Sequence, residues 1–203
     1  MLNWDIEAEQ AAEGYKIICG VDEAGRGSLA GPVAAAACVL PFSCIIEGLR
    51  DSKKLSESKR ERLFNEITAA AVDYGIDFAS VEEIDSLNIL NASMLAMKRA
   101  VEKLKTAPDL LLIDGVISRG FVTDSLTIVK GDNKSPMIAA ASVLAKVSRD
   151  RVCYFMDKMY PEYGIARHKG YGTRVHMDML KKYGPSPIHR VSFLKFLHND
   201  HER

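Results

Sequence analysis

The stretch "GVDEAGRGSLAGPV", residues 20–33, decides how this chain should be read. Its opening residues end an apolar segment, where Asp22 and Glu23 place two carboxylates side by side. A Gly-Arg-Gly sequence, residues 25–27, follows the two acids. Because glycine has no Cβ, backbone N–H and C=O groups can approach a ligand closely at such a point. This pattern is unusual for a structural turn and indicates a site for metal ions and phosphate.

The segments on either side of this stretch predict an α/β protein. Apolar or alternating segments of strand length predict five strands, and continuous apolar strands indicate burial on both faces. Ser56 is a predicted helix N-cap, and Ser135 followed by Pro136 is a second. We expect one mixed α/β sheet of five strands flanked by helices. The predicted strands are Tyr15–Val21, Pro32–Leu40, Gly75–Val81, Asp109–Asp114 and Leu126–Lys130, and the predicted helices cover residues 56–74, 91–104, 135–160, 173–183 and 191–199.

The length of the chain sets its domain organisation. With 203 residues, the chain is long enough for one core of ordinary size and short for two full domains. We expect one structural domain, made of an α/β core over residues 1–160 and a C-terminal helical segment over residues 161–203 packed on that core.

Composition and charge exclude some classes of protein. No apolar run approaches the roughly 20 residues of a membrane-spanning helix, and the acidic N-terminus resembles neither a secretory signal nor a transit peptide. We therefore expect a cytoplasmic protein without membrane contact. The four cysteines form no C-x-x-C pair and are expected as buried, reduced thiols. The net charge of zero lacks the basic bias typical of nucleic-acid binders, although segregated charge could still provide a basic surface.

Several common active-site motifs are absent from the sequence. The glycines at 25, 27 and 31 are spaced one residue too widely for a dinucleotide-binding fingerprint, and a predicted strand follows them instead of a helix. There is no P-loop, no H-E-x-x-H and no G-x-S-x-G sequence. These absences exclude a nucleotide-binding oxidoreductase and the usual serine hydrolases and zinc proteases.

Four acids stand at or near predicted strand ends, and they indicate a metal site. Asp22 and Glu23 end the first strand, Asp114 ends the fourth, and Asp132 lies between the fifth strand and the next helix. Ends of neighbouring strands converge at one edge of such a sheet, where four carboxylates would repel one another without a cation. Oxygen ligands suit Mg²⁺ or Mn²⁺. The alternative for each acid alone is a helix cap or turn residue.

Two such cations are suited to phosphodiester hydrolysis. One activates water and the other stabilises the leaving 3′ oxygen, with the ions ~3.5–4 Å apart. The Gly-Arg-Gly backbone could then approach a sugar-phosphate chain and detect the 2′-hydroxyl that separates RNA from DNA.

Six blocks of sequence resemble ribonuclease HII, the bacterial type 2 ribonuclease H. The resemblance covers residues 17–193, with the blocks in the family's order. It implies a ribonuclease H-like fold and hydrolysis of RNA in RNA–DNA hybrids, with cutting 5′ of single ribonucleotides in duplex DNA and a role in ribonucleotide removal from DNA. It also implies Mg²⁺ or Mn²⁺ as cofactor. The blocks are "GVDEAGRGSLAGPV" (20–33), "DSKKLS" (51–56), "LLIDG" (111–115), "KGD" with "IAAASVLAKVSRD" (130–132 and 138–150), "HKGYGT" (168–173) and "GPSPIHRVSF" (184–193).

The resemblance also implies roles for individual residues. The family's four metal-binding catalytic acids correspond to Asp22, Glu23, Asp114 and Asp132, its reader of the 2′-hydroxyl to Gly25, Arg26 and Gly27, and its junction-sensing tyrosine to Tyr171. Lys53, Ser142 and Lys146 are further candidate substrate contacts, for which surface exposure or packing is the alternative. Ser28 stands where the family usually has proline, which would leave this loop less rigid.

Two other functions remain open at this point. The first is another two-metal nuclease of the same fold, such as a type 1 ribonuclease H or a resolvase, which the Gly-Arg-Gly block disfavours. The second is a non-catalytic hybrid-binding protein, which the presence of all four acids disfavours. We expect a monomer whose partners are RNA–DNA hybrid and ribonucleotide-containing duplex DNA, and no peptide typical of sliding-clamp binding is evident.

Overall fold

A five-stranded mixed sheet forms the centre of the computed structural model, which describes residues 2–49 and 55–195. The strands lie in the order β3-β2-β1-β4-β5. The first three in the chain pair antiparallel, whereas β1, β4 and β5 run parallel. This confirms the predicted mixed sheet. The strands are β1 (Ile18–Ala24), β2 (Val33–Val39), β3 (Asp73–Ala79), β4 (Leu110–Asp114) and β5 (Asp124–Ile128).

Helices cover both faces of this sheet, and two of their N-caps were predicted correctly. The Ser56 side chain accepts from Lys59 N, and the Ser135 side chain accepts from Ile138 N with Pro136 at the first helical position. The helices are α1 (Asp5–Ala12), α2 (Glu57–Ala70), α3 (Val81–Leu87), α4 (Ile89–Glu102), α5 (Pro136–Met159), α6 (Ile165–His168) and α7 (Arg174–Tyr183).

Some boundaries differ from the prediction. The first strand continues to Ala24, because Asp22 and Glu23 pair with Ala36 and Ala35 of β2. The two acids are therefore held within the sheet and not in a flexible turn. Helices α1 and α3 and the short helix α6 were not predicted. The helix expected over residues 191–199 is a short 3₁₀ turn at Val191–Phe193, and residues 196–199 lie outside the described residues.

Close packing of α5 against β1 brings the long central helix under the strand that carries the acids. A Cβ on Gly20 would lie 2.1 Å from the carbonyl carbon of Met137, so only glycine permits this approach. Ala36 of β2 and Ala140, Ala141 and Ala145 of α5 are fully buried in the apolar cluster on this face, and their small side chains keep the layers close. One face of the sheet thus packs on α5 and α2. The opposite face packs on α4.

A third apolar cluster joins the C-terminal segment to α5. It contains Ala30, Cys153, Tyr163, Ile165 and Leu180, which come from the loop after β1, from α5 and from the elements after it. This packing carries residues 161–195 to the side of the sheet where the loop after β1 lies. The division into a core over residues 1–160 and a segment over residues 161–203 stays a prediction.

The described helices do not include a membrane-spanning candidate. None of those in residues 2–49 and 55–195 is long and apolar enough to cross a bilayer. All four cysteines are free, and Cys19, Cys38 and Cys153 are buried as expected, whereas Cys44 is only half-buried.

Candidate active site

The parallel pairing of β1 with β4 brings Asp22 and Asp114 to the same end of the sheet. Val21 is paired with Ile113, so the next residue on each strand is an aspartate. Asp22 is buried, and burial raises its pKa well above the ordinary value, as do the negative charges of Glu23 and Asp114. Hydrogen bonds from the Ser142 hydroxyl and the Glu23 N–H act in the opposite direction. The three carboxylates are therefore close enough to repel one another.

A short 3₁₀ turn, Gly131–Asn133, adds Asp132 to this end of the sheet. The Gly131 N–H donates to Asp114 Oδ1 over 2.6 Å, which ties the turn to β4. Asp132 is buried, and its Oδ1 accepts from Asn133 Nδ2 over 2.9 Å. All four predicted acids thus lie at one edge, on two neighbouring strands and the turn beside them.

The chemistry of these groups fits a hard divalent cation. They offer only carboxylate oxygens, which Mg²⁺ and Mn²⁺ prefer, and a cation would relieve the repulsion around Asp22. Within residues 2–49 and 55–195, no three Asp, Glu, His or Cys side chains stand close enough together to hold a metal as they are. Glu23 Oε1 is instead 3.1 Å from Arg26 Nη1. Cation binding would therefore require the carboxylates to turn toward one another.

The loop after the acids is shaped by a glycine at a point of very close approach. Gly25 has a φ of +96°, and a Cβ there would lie 1.9 Å from Nε of Arg149. Both observations require glycine, because other residues rarely adopt this φ and the guanidinium is itself buried. Gly25 is thus needed to lay this loop against the protein interior.

A cavity of about 210 Å³ connects the acidic edge to this loop. It contains most of the residues for which the sequence predicted substrate contacts. One predicted acid, Glu23, reaches it. Lys53 lies outside the described residues. The cavity is lined by Glu23, Ala24, Gly25, Arg26, Gly27, Ser142, Lys146 and Tyr171.

Tyr171 lines the cavity next to Gly27 of the Gly-Arg-Gly loop. The ring is 40% exposed, and a Cβ on Gly27 would lie 3.8 Å from its Cε1 atom. The backbone of Tyr171 forms an isolated antiparallel β-bridge with Ser28. The guanidinium carbon of Arg149 is 5.7 Å from the centroid of the Tyr171 ring. The aromatic face is therefore available to a ligand while its backbone is held.

Ser142 and Lys146 both line the cavity, but each also contacts a protein carboxylate. Ser142 is buried and hydrogen-bonds Asp22. The Lys146 Nζ atom lies 2.6 Å from Asp150 Oδ1. Both side chains therefore stabilise the floor of the cavity, in addition to any contact with a ligand.

Ser28 is held firmly in the turn after Gly27. It is fully buried, and its N–H donates to the Gly25 carbonyl over 3.4 Å. Proline has no N–H and could not form this bond. The serine thus supplies a constraint of its own, so the expected loss of rigidity relative to proline is partly offset.

Three buried residues contact this site but were not predicted from the sequence. Arg190 donates to the carbonyls of Gly25 and Arg26, and His176 and His189 form a hydrogen-bonded pair behind Tyr171. His189 and Arg190 belong to the block "GPSPIHRVSF", but their neighbours in sequence gave no sign of a role at the site.

Comparison with known proteins points to one family. The family model described as Ribonuclease HII matches residues 19–196. Ribonuclease HII of Acetivibrio thermocellus is 56% identical over 189 residues, which are 93% of this chain and 74% of that protein. Ribonuclease HII of Caldicellulosiruptor bescii is 53% identical over 192 residues, covering 95% of this chain and 93% of the relative. The crystal structure of ribonuclease H2 from Pyrococcus horikoshii OT3 superposes with a TM-score of 0.75 at 26% identity, over 93% of this chain and all (100%) of the other.

Proposed function

The chain belongs to the ribonuclease HII family, and from this premise we propose that it cuts both RNA–DNA hybrids and duplex DNA containing a single ribonucleotide. The protein is a ribonuclease H, a hydrolase with endonuclease activity on the RNA of RNA–DNA hybrids. Its ribonuclease H-like fold, with a mixed five-stranded sheet flanked by helices, is confirmed by the Pyrococcus structure. Cutting falls 5′ of the ribonucleotide and leaves a 3′-hydroxyl and a 5′-phosphate.

The proposal rests on one observation, the cavity that joins the acidic edge to the Gly-Arg-Gly loop and Tyr171. A single ribonucleotide in DNA differs from its neighbours only by one 2′-hydroxyl, so the enzyme must read that group beside the reacting phosphate. Residues 25–27 and the ring of Tyr171 both line this cavity. A ribose bound in this cavity would lie beside Glu23, one of the proposed metal ligands.

The family depends on divalent metal ions, and we assign Mg²⁺ or Mn²⁺ to the four carboxylates of this chain. Bound cations would supply an activated water and stabilise the leaving 3′ oxygen. The ligands are Asp22, Glu23, Asp114 and Asp132. Burial of Asp22 and its bond from Ser142 hold one ligand in a fixed orientation, whereas Glu23 has to leave Arg26 to join it.

The remaining cavity residues orient the substrate. The Arg26 side chain is half-exposed, at 50%, and once released from Glu23 it can pair with a backbone phosphate. The Tyr171 ring stacks on the sugar next to the ribonucleotide. Lys146 lines the same cavity and is a further candidate phosphate contact, although its Nζ atom is paired with Asp150. Lys53 is proposed as a phosphate contact on the basis of its sequence block alone.

The alternatives left open by the sequence lose support. The family match disfavours a type 1 ribonuclease H or a resolvase, and a non-catalytic binder is excluded because the protein is an enzyme. We further propose that the enzyme acts as a monomer in the cytoplasm and contributes to ribonucleotide removal from DNA.

One cleavage experiment tests the proposal. A labelled duplex with one ribonucleotide is incubated with the protein, with and without Mg²⁺, and the product ends are mapped. We expect a metal-dependent cut on the 5′ side with a 3′-hydroxyl end, because water and not the 2′-hydroxyl is the nucleophile. A 2′,3′-cyclic phosphate end, or no cut in this duplex while long hybrids are cut, would refute it.

A further inference from the structure

The segment after α7 contains a buried arginine that reaches the Gly-Arg-Gly loop. Arg190 is fully buried and donates three hydrogen bonds to backbone carbonyls of the loop after β1. Its Nη2 atom is 2.8 Å from Gly25 O, Nη1 is 2.9 Å from Arg26 O, and Nε is 2.9 Å from Gly31 O. The planar guanidinium thus binds two consecutive carbonyls and a third one at the far end of the loop.

A second buried arginine fastens the next part of the same loop. Arg149 donates from Nη2 to Ala30 O over 3.1 Å and from Nε to Pro32 O over 3.2 Å. Its Nη1 atom donates to Lys169 O over 2.8 Å, which joins the loop to the segment that precedes Tyr171. In the described part of the chain, neither Arg149 nor Arg190 takes part in an ion pair with a carboxylate. Backbone carbonyls accept the hydrogen bonds of both guanidinium groups, and the Cys153 Sγ atom adds one more acceptor, 3.3 Å from Arg149 Nη1.

The positive charge of Arg190 persists at neutral pH. Burial, followed by the nearby charge of Arg149, lowers the pKa of the Arg190 guanidinium to about 9. This value is still well above 7, so the group can donate all three hydrogen bonds under physiological conditions. A buried charge of this kind is costly, and its retention here requires the carbonyls to stay in place around it.

The hydrogen bonds of Arg190 decide which way the loop backbone faces. Because the carbonyls of Gly25 and Arg26 both point inward to one guanidinium, the peptide N–H groups that follow them point away from it. Among hydrogen bonds between described residues, none uses the N–H of Arg26 or of Gly27. Successive outward N–H groups of this kind form a concavity that binds oxygen atoms.

We propose that Arg190 is a positioning residue for ribonucleotide recognition, which holds the Gly25–Gly27 backbone with its N–H groups directed at the substrate. The inference rests on the proposed role of these residues in reading the 2′-hydroxyl. Arginine is required because its fork carries three donor nitrogens in one plane, whereas lysine presents a single nitrogen. Arg190 acts through the loop and does not touch the substrate.

Binding measurements on Arg190→Lys test this role. Affinities are measured in Ca²⁺ for a duplex with one ribonucleotide and for the all-DNA duplex of the same sequence. We expect the ratio of the two affinities to fall by about 10-fold in Arg190→Lys, with binding of the all-DNA duplex nearly unchanged. Arg62→Lys, an exposed arginine paired with Glu66, serves as the matched control and should keep the wild-type ratio. A purely structural role would lower the folded fraction and leave the ratio unchanged.

The outcomes separate this inference from the proposed function. If the wild type itself binds both duplexes equally, the reading of the 2′-hydroxyl is wrong. If the wild type prefers the ribonucleotide and Arg190→Lys keeps the full preference, the role of Arg190 is wrong.

A second measurement covers the case in which Arg190→Lys does not fold. Amide hydrogen exchange in the wild type should show the Arg26 and Gly27 N–H groups exchanging rapidly when free and protected by the ribonucleotide duplex, but not by the all-DNA duplex. Protection of both amides in the free protein would overturn the inference, since the N–H groups would then face inward.

Discussion

The Nε2 atoms of His176 and His189 lie 3.0 Å apart, which requires one ring to donate and the other to accept. Ser186 N donates to His189 Nδ1 over 3.0 Å, so the proton of His189 is on Nε2 and is donated to His176. His176 in turn donates from Nδ1 to the Tyr171 carbonyl over 3.0 Å. Both rings are neutral in this arrangement, and the chain of bonds holds the backbone of Tyr171 in place.

We expect this histidine pair to make the protein less stable in acid. Burial, followed by the proximity of His176, lowers the pKa of His189 to about 4, and burial also lowers the pKa of His176 and of the stacked His168. The unfolded chain takes up protons near pH 6.5 that the folded protein cannot bind, so stability present at pH 7 is lost as the pH falls. Through the lowered pKa of His189 alone, the free energy of unfolding should fall by about 2 kcal/mol between pH 7.5 and pH 5.

Urea unfolding at both pH values measures this loss. His189→Gln removes the titrating group, so the difference between the two pH values should shrink even if the variant is less stable overall. An equally large difference in His189→Gln would mean that other groups cause the acid sensitivity.

Asp22→Asn should abolish most of the activity while leaving the fold intact. The carboxylate is a proposed metal ligand, and its loss should reduce the rate at saturating Mg²⁺ by more than the ~100-fold that loss of an outer-shell partner can cause. Because Asp22 is buried beside two other negative charges, the neutral amide should not lower the melting temperature. Hybrid binding should survive, and Asp178→Asn, an exposed acid on α7, should behave as wild type. Full activity in Asp22→Asn would remove Asp22 from the catalytic site.

Tyr171→Ala should weaken cleavage at a single ribonucleotide by about 10-fold, because aromatic stacking contributes ~1–3 kcal/mol. The ring is 40% exposed, so thermal stability should hardly change. Tyr171→Phe should retain more activity than Tyr171→Leu, since the flat ring and not the hydroxyl makes the contact. Tyr74→Ala, which is matched in exposure at 40% but lies on the edge strand β3, should cut normally. A large drop in melting temperature with equal loss on both substrates would identify Tyr171 as a core residue instead.

Gly25→Ala should destabilise the protein much more than Gly14→Ala, although both glycines have a positive φ. At Gly14, with a φ of +109°, a Cβ meets nothing within 4 Å, so only the backbone strain of ~1–2 kcal/mol applies. At Gly25 the new Cβ would also displace the buried Arg149 guanidinium, 1.9 Å away. We expect Gly14→Ala to lower the melting temperature by a few degrees, at about 2–4 °C per kcal/mol, and Gly25→Ala to lower it further and reduce activity. Similar melting temperatures would show that Arg149 can move without cost.

Local chemistry explains which elements were predicted correctly. Ser56 and Ser135 were identified as N-caps because a cap depends only on a side chain and the first turn that follows it. The same kind of signal was present and missed at α3, where the Ser80 and Glu83 side chains form a capping box. The end of β1 was placed too early because its last residues are held by β2, a partner that the local pattern cannot identify.

The amino-acid sequence by itself determined the four acids at strand ends, the Gly-Arg-Gly loop and the family, because each depends on side-chain types in a short stretch. Only the tertiary structure decided what holds these parts in position. Arg190 binds Gly25 from 165 residues away, and Arg149 binds Ala30 from 119 residues away. Their acceptors are backbone carbonyls, which every residue possesses, so no pattern of side chains marks them. Such contacts are specified only when the folded sheet and its helices bring the two segments together.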